Sequence, residues 1–247
     1  MAGHSKWAQI KRKKAVTDQK RAAAWGKIIR EITVAAKMGG GDPNGNPRLR
    51  LAVDNARAAN MPNDNIDRAI KKGTGELEGV EYQEVAYEAY GPGGVALYIE
   101  TLTDNVNRTV AEIRHALNKA GGNLGTTGSV AWMFDHRGQI FFDTSRYDEA
   151  TVLEAALDSG AQDMEGDEET FTVYTTVPDF HAVQEALKNR GLAWESAELA
   201  MVPKNLIRVE GKEAEKLVRL LEMLEDSDDV QQVYTNADID EASLVEA

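Results

Sequence analysis

The chain has 247 residues, of which 42% are hydrophobic and 28% are charged, and its formal net charge at pH 7 is −13. This length allows two or three domains with buried cores, and the composition is typical of globular proteins. The absence of cysteine excludes disulfides, thiolate metal sites and cysteine nucleophiles. Because we find no apolar run near 18 residues and no secretion signal, we expect a cytoplasmic protein that is not in the membrane.

The charge is segregated along the chain. Residues 1 to 72 contain 16 Lys and Arg but only 6 Asp and Glu, whereas the remaining residues contain 12 and 35. A basic tract joined to an acidic body predicts a protein that contacts polyphosphate with one end and repels it elsewhere.

The cations are densest at the N-terminus, where residues 1 to 20 are called the basic arm. The cations of the arm are Lys6, Lys11, Arg12, Lys13, Lys14 and Lys20, and Arg21 follows directly. Such a segment is often only a solvated tail, but Trp7 lies among the cations, and an aromatic ring there suits stacking on unpaired bases. Too few apolar residues precede Asp18 for a stable helix, so we predict a flexible arm that orders on its target.

Apolar residues spaced by three and four predict a helix from Asp18 onward. Its apolar face consists of Trp25, Ile28, Ile29, Ile32 and Ala36. Two shorter helices should follow, the first capped by Asn46 and the second by Asn63 or Asp64. A linker rich in Gly and Glu, residues 74 to 81, ends this helical domain.

Five cations on the predicted helices could extend the basic surface. They are Lys27, Arg30 and Lys37 on the first helix and Arg48 and Arg50 on the second. Lysines and arginines on the polar face of a helix either bind a ligand or only face solvent, and the pattern leaves both possibilities open. Short helices joined by Pro and Gly turns are too common to indicate a helix-turn-helix motif.

The pattern changes to a period of two after the linker. It predicts strands over residues 85 to 90 and 95 to 102, then a helix that ends at Lys119, then a glycine-rich loop and a strand over 130 to 134. Neither glycine cluster follows a strand and opens a helix, which argues against a phosphate-binding loop.

From residue 139 the order strand, helix, strand, strand, helix, strand forms a complete βαββαβ unit that ends near residue 201. The tail then contains a strand over 206 to 209, a helix over 212 to 225 and a strand over 230 to 234, without local partners. The simplest arrangement is that the tail pairs with residues 82 to 135, which makes the βαββαβ unit an insertion.

These elements together predict an α+β multidomain fold. An N-terminal three-helix domain with a basic arm precedes two βαββαβ-like α/β plait domains, and the third domain is inserted in the second. The predicted boundaries are 1 to 20 for the arm, 21 to 80 for the helical domain, 81 to 136 plus 204 to 247 for the discontinuous α/β domain, and 137 to 203 for the inserted ferredoxin-like domain.

No residue pattern indicates catalysis, a cofactor or a metal site. The histidines His4, His115, His136 and His181 lie in different predicted elements and show no metal-ligand spacing. The acidic runs are typical of solvated surfaces, and nothing pairs two carboxylates across a cleft. We therefore predict a protein that is not an enzyme and needs no cofactor, although sites assembled from distant residues leave little trace in a sequence.

Six strings in one order resemble the YebC family, whose mitochondrial relatives include the translational activator of cytochrome c oxidase. They are MAGHSKWAQIKRKKA at 1 to 15, REITVAAKMGGGDPNGNPRLR at 30 to 50, NMPNDNIDRAIKKGTG at 60 to 75, AYGPGG at 89 to 94, TDNVNRT at 103 to 109 and LEDSDDVQQVYTN at 224 to 236. The resemblance implies a helical domain followed by two α/β domains, the third inserted in the second. It also implies regulation linked to nucleic acid, because members are described as DNA-binding transcriptional regulators and the family is also assigned to translation on the ribosome.

We predict a non-enzymatic, ribosome-associated translation factor, because no predicted helix displays the Arg, Asn and Gln set that reads base edges in a major groove. The alternative is a DNA-binding transcriptional regulator, and a protein-interaction module is a third hypothesis. Expected partners are ribosomal RNA or else DNA, with ribosomal proteins in addition, and the oligomeric state is open. The predicted nucleic-acid-binding residues are Lys6, Trp7, Lys11, Arg12, Lys13, Lys14, Lys20, Arg21, Lys27, Arg30, Lys37, Arg48 and Arg50.

Overall fold

A computed structural model describes residues 18 to 239, with side chains from residue 24 onward. Its helices are α1 (Asp18–Gly39), α2 (Pro47–Ala58), α3 (Asn63–Gly73), α4 (Val106–Ala120), α5 (Glu149–Asp158), α6 (Phe180–Asn189) and α7 (Gly211–Glu225). Its strands are β1 (Gln83–Tyr90), β2 (Ala96–Thr103), β3 (Asn123–Leu124), β4 (Phe134–Asp143), β5 (Asp163–Gly166), β6 (Thr170–Thr175), β7 (Ser196–Pro203), β8 (Ile207–Val209), β9 (Val230–Thr235) and β10 (Ala237–Ile239). The fold is α+β, as predicted: three helices precede sheets that pack against further helices.

Helices α1 to α3 form a bundle whose apolar residues pack in one cluster around Ile32, Leu49 and Ile66. The predicted cap of α2 is confirmed, because the Asn46 side chain accepts the Leu49 backbone N–H at 3.1 Å. The predicted caps of α3 are wrong. Asn63 is itself the first helical residue, and Pro62, which cannot cap with its side chain, occupies the preceding position.

The middle sheet has the strand order β3-β1-β2-β9. Strand β9 lies antiparallel to β2, with Leu97 opposite Thr235 and Ile99 opposite Val233. Helices α4 and α7 cover one face and pack Ile113, Leu117, Leu217 and Leu221 against the strands. The tail strand β8 does not join this sheet, because it pairs in parallel with β10, an additional strand that the sequence did not predict.

Residues Phe134–Lys204 form a compact unit of their own. Strand order β5-β6-β4-β7 with antiparallel neighbours, together with α5 and α6, gives the predicted βαββαβ topology. The core includes Ile140, Phe142, Val173 and Leu187, all fully buried. The rest of the described chain forms the second unit, and the domain boundaries given above stay predictions.

The predicted strand over residues 130 to 134 is wrong. Residues Ala131–Met133 form a 3-10 turn, and β4 then runs without interruption from Phe134 to Asp143. None of the three turn residues is buried, and the turn is held in place by a distant carboxylate, as described below. Among the described residues, no helix combines the length and the apolar composition needed to span a bilayer.

Candidate nucleic-acid interface

The predicted nucleic-acid-binding residues fall into two groups. Lys6, Trp7, Lys11, Arg12, Lys13 and Lys14 lie outside the described residues, and of Lys20 and Arg21 only the backbone, within α1, is described. The remaining five, Lys27, Arg30, Lys37, Arg48 and Arg50, have described side chains. Each of these five side chains contacts oxygen atoms of its own chain. The structure therefore pairs each of them with an internal partner and does not gather them into one surface.

Lys27 and Arg30 face the acidic loop that follows α7. The Lys27 ammonium donates to the main-chain carbonyl of Glu225 at 2.6 Å. The Arg30 guanidinium donates to the main-chain carbonyl of Asp228 and, at 3.1 Å, to Oδ1 of Asp229. The side chain of Arg30 is only 18% exposed, so this part of the polar stripe on α1 is a contact surface within the molecule.

Asp229 collects hydrogen bonds from two parts of the fold, and we call it the Asp229 hub. Its Oδ2 accepts from the hydroxyls of Thr103 at 3.1 Å and Thr109 at 2.8 Å, and from Nη2 of Arg108 at 2.7 Å. Its Oδ1 accepts from Arg30. Two of the strings that carried the family resemblance, 103 to 109 and 224 to 236, therefore meet at one buried carboxylate.

The hub stays ionised. Burial alone would raise the pKa of Asp229, but the hydrogen bonds from Arg108, Thr109 and Thr103 outweigh it and hold that pKa below its usual value. The same contact raises the pKa of Arg108. A buried carboxylate with this many donors is a stable fixed charge, which favours a structural or orienting role.

Arg48 joins the helical bundle to the middle sheet. Its guanidinium binds Glu31 on α1 at 2.6 Å and Glu84 on β1 at 3.0 Å. Burial would lower the pKa of Arg48, but the hydrogen bonds to these carboxylates raise it above its usual value. Lys37 pairs with the exposed Glu81, and Arg50 donates to the carbonyls of Pro43 and Asn44 in the turn before α2.

The outward faces of α2 and α3 carry both signs of charge. On α2 the exposed Arg57 lies 3.6 Å from Asp54. On α3 the exposed cations Arg68, Lys71 and Lys72 share the helix with the exposed acids Asp64 and Asp67. A helix that enters a DNA groove lies between two rows of phosphates, so exposed aspartates on that helix oppose binding.

The glycine-rich loop before β4 is filled by a side chain of the protein itself. The Glu88 carboxylate, which is buried on β1, accepts the backbone N–H groups of Gly128 and Val130 at 2.6 Å and of Ala131 at 2.8 Å. Burial would raise the pKa of Glu88, but these hydrogen bonds lower it. The loop is thus already occupied by an anion, which agrees with the prediction that it is not a phosphate cradle.

Within residues 24 to 239, no group of three His, Asp or Glu side chains could hold a metal ion. Sequence analysis missed the Asp229 hub and the Glu88 contact. Asp229 lies in the resemblance string at 224 to 236, whereas Glu88 lies in none of the six strings. The partners of Asp229 lie up to 126 positions away in the chain, so no local pattern indicated the hub.

Comparisons with known proteins agree with this architecture. The family model for the TACO1/YebC N-terminal domain matches residues 5 to 76, and the model for the TACO1/YebC second and third domains matches residues 82 to 237. Proteins from Gemmatimonas aurantiaca and Chlorobium luteolum, each named probable transcriptional regulatory protein, are 56% and 54% identical over 247 and 245 residues. These matches cover 100% of both chains in the first case, and 99% of this chain and 98% of its relative in the second.

A solved structure has the same fold. The crystal structure of a conserved hypothetical protein from Aquifex aeolicus superimposes with a TM-score of 0.87 at 45% sequence identity. The match covers 96% of this chain and 98% of that one.

Proposed function

Because the chain belongs to the TACO1/YebC family, we propose that it regulates gene expression by binding nucleic acid through its basic arm. The names of its relatives support a regulator. The observation that supports a role for the arm is that five cations on the helices already contact oxygen atoms of the protein itself. They are Lys27, Arg30, Lys37, Arg48 and Arg50. Since the side chains described on α1 to α3, from residue 24 onward, offer no surface of purely positive charge, the cations of the basic arm are the ones best suited to phosphate.

RNA on the ribosome is our first candidate for the target. The arm places Trp7 among cations, and folded RNA offers unstacked bases and an irregular backbone, whereas duplex DNA keeps the faces of its bases inside the stack. The mixed charge on the outward faces of α2 and α3 also opposes insertion of either helix into a DNA groove.

Duplex DNA is the second candidate. It is favoured by the names of the relatives, which are those of transcriptional regulators. A transcriptional regulator of this kind would use the arm on the DNA backbone and would take its sequence preference from groove contacts or from the shape of the duplex.

The proposed role of the arm is tested by replacing Lys11, Arg12, Lys13 and Lys14 with Ala. We expect the log-log slope of affinity against salt to fall by about 0.7 to 0.9 for each phosphate contact that is lost. The matched control removes four cations from the inserted unit, Arg146, Lys188, Arg190 and Lys204, and should leave the slope unchanged. If both variants behave alike, or if neither changes the slope, the arm is not the ligand surface.

The two targets are separated by ribosome co-sedimentation and by selection of duplex sequences with the same protein. The first candidate requires ribosome association that depends on the arm, together with duplex binding in the non-specific range, about 10⁻⁴ to 10⁻⁶ M. A selected duplex bound at about 10⁻⁸ M or tighter, without ribosome association, would establish the second candidate instead.

A further inference from the structure

We propose that Asn44 is a site of spontaneous deamidation, and that its isoaspartate product loosens the junction between α1 and α2. Asn44 lies in the turn from Asp42 to Gly45, directly before the buried Asn46. The reaction needs only water, so it does not depend on the proposed function of the basic arm.

The reaction changes how Asn44 is joined to Gly45. The main-chain nitrogen of Gly45 attacks the side-chain carbon Cγ of Asn44 and closes a succinimide ring, while the side-chain nitrogen leaves as ammonia with the proton of Gly45. Water then adds to one of the two ring carbonyls and opens the ring. Opening at Cγ leaves aspartate. Opening at the main-chain carbonyl leaves isoaspartate, in which the main chain passes through Cβ and Cγ.

The sequence provides a reactive asparagine and an unreactive one in the same segment. Asn44 is the one asparagine of the chain that is followed by glycine. Glycine favours the attack because it has no Cβ to crowd the approach of its nitrogen. Asn46 precedes Pro47, whose ring nitrogen carries no hydrogen and so cannot form the succinimide.

The fold leaves the reactive site open to water. Asn44 and Gly45 are both exposed, and among the described residues no hydrogen bond holds the side-chain amide of Asn44, whose contacts involve its main chain. One hydrogen bond restrains the attacking nitrogen, since the Gly45 N–H donates to the carbonyl of Asp42 at 3.1 Å. This bond must open before the attack, and an exposed turn opens locally at low cost.

The main chain of the turn is held by contacts along its length. Arg50 donates to the carbonyl of Pro43 at 3.0 Å and to that of Asn44 at 2.7 Å. The side chain of Asn46 donates to the carbonyl of Gly40 before the turn and caps α2 after it. These contacts together fix the length of main chain that fits between the two helices.

The two products should therefore differ in their effect on stability. Isoaspartate adds one methylene to the main chain and takes the carbonyl that Arg50 binds out of it, so the contacts of the turn can no longer all be kept. Aspartate leaves the main chain unchanged and places a negative charge close to the N-terminus of α2, where the helix dipole favours it. We expect a loss of stability from isoaspartate alone.

Incubation of the full chain at physiological temperature and pH tests the reaction. Trypsin releases residues 38 to 48 as one peptide that contains both Asn44 and Asn46, so mass spectrometry reads both sites together. We expect replacement of NH2 by OH at Asn44 and no change at Asn46. An isoaspartyl methyltransferase, which methylates isoaspartate but not ordinary aspartate, identifies the product.

A synthetic peptide of residues 38 to 48 gives the rate of the reaction without the fold. We expect the protein to react within about 10³-fold of the peptide, because a turn that opens locally is open far more often than the whole protein is unfolded. A slower rate would mean that the reaction waits for global unfolding, and it would overturn the proposal.

Gly45→Ala is the matched control. A methyl group on Gly45 would meet no atom beyond its chain neighbours closer than the main-chain oxygen of Asp42, at 3.9 Å, so the variant should fold as the wild type while its Cβ crowds the attack. After incubation, wild type should contain an isoaspartate fraction that unfolds at a lower urea concentration than fresh protein, and Gly45→Ala should not. An equal change in both proteins, or an unchanged urea midpoint in wild type that has formed isoaspartate, would overturn the proposed loosening.

Asn44→Asp separates the charge of the products from the change in the main chain. Freshly purified Asn44→Asp carries the aspartate product with a normal main chain, and it should unfold at the same urea concentration as fresh wild type. A midpoint as low as that of the isoaspartate fraction would assign the loss to the charge and would overturn the role of isoaspartate.

Discussion

Two buried carboxylates, Glu88 and Asp229, each fix a loop that has no regular structure of its own. Glu88 accepts three backbone N–H groups from the loop that enters β4, so that one side chain of β1 replaces a missing strand partner. Hydrogen bonds to an ionised acceptor are roughly twice as strong as those between neutral groups. At the scale of single residues, the protein uses negative charge to organise backbone.

Replacing Glu88 with Gln should lower the free energy of unfolding at pH 7 by about 1.5 to 3 kcal/mol, because a neutral amide cannot accept all three N–H groups. The folded-state pKa of Glu88 is lowered from 4.5, so its contribution is complete above that pH and disappears as the pH falls through the lowered pKa. Urea titrations should therefore show a constant difference between variant and wild type down to about pH 4.5 and convergence at lower pH. The exposed Glu78, replaced by Gln as a control, should change little. A difference that grows on acidification would contradict this account.

Trp7 gives a residue-scale test of the RNA target. If the indole stacks on an unpaired base, Trp7→Ala should cost about 1 to 3 kcal/mol in binding to RNA and little in binding to duplex DNA. Trp132, which is 64% exposed in the turn before β4, is the matched control, and its replacement by Ala should affect neither ligand. Equal losses on both polymers would argue against stacking by Trp7.

At the scale of elements, Asn46 organises the turn between α1 and α2 from a buried position. Its Oδ1 caps α2 through Leu49, and its Nδ2 donates to the carbonyls of Ala35 at 2.8 Å and Gly40 at 2.9 Å. One side chain thus starts one helix and satisfies the end of the preceding one.

Asn46→Ala should destabilise the protein by about 2 to 4 kcal/mol, since it removes a cap and leaves two carbonyls without this donor. Asn46→Asp keeps the cap but places a carboxylate against both carbonyls, so it should not restore stability. The control Asn55→Ala, at an exposed site on α2, should have little effect because alanine is a good helix former. Urea unfolding measures all three, and a loss below about 0.5 kcal/mol for Asn46→Ala would contradict the proposed role.

Individual helices, strands and turns show which parts of the fold could be predicted from the sequence. Apolar spacing predicted α1 and the βαββαβ unit, because local periodicity reflects the burial of one face. The turn at residues 131 to 133 was predicted as a strand, because its conformation depends on Glu88, some 42 positions earlier in the chain. The partners of Lys27 and Arg30 were not predictable either, since they lie about 198 positions away, and no local pattern encodes such a pairing.

At the scale of the whole molecule, we propose that residues 81 to 136 and 204 to 247 form one folding domain interrupted by the inserted unit. The pairing of β2 with β9 and the packing of α7 leucines against the middle sheet support this division. The division is also supported by residues Phe134–Lys204, which form a separate compact unit.

Deleting residues 204 to 247 should therefore expose residues 82 to 135 to proteolysis, because β2 loses its partner strand and the core loses α7. A fragment of residues 134 to 204 should remain folded, since its sheet contains all four of its own strands. Limited proteolysis with mass mapping tests both expectations. Protection of residues 82 to 135 in the truncated chain, equal to that in the full protein, would refute the discontinuous domain.

The pairing of β2 with β9 also has a consequence for synthesis of the protein. Leu97 lies opposite Thr235, so the ribosome must make the whole inserted unit before the strand that completes the middle sheet exists. We expect residues 134 to 204 to fold on the nascent chain before the middle sheet is complete, while the edge of β2 stays open to other strands until β9 emerges. The middle sheet is then the last part to mature, and its slow step is the closure of a loop of more than 130 residues between Leu97 of β2 and Thr235 of β9.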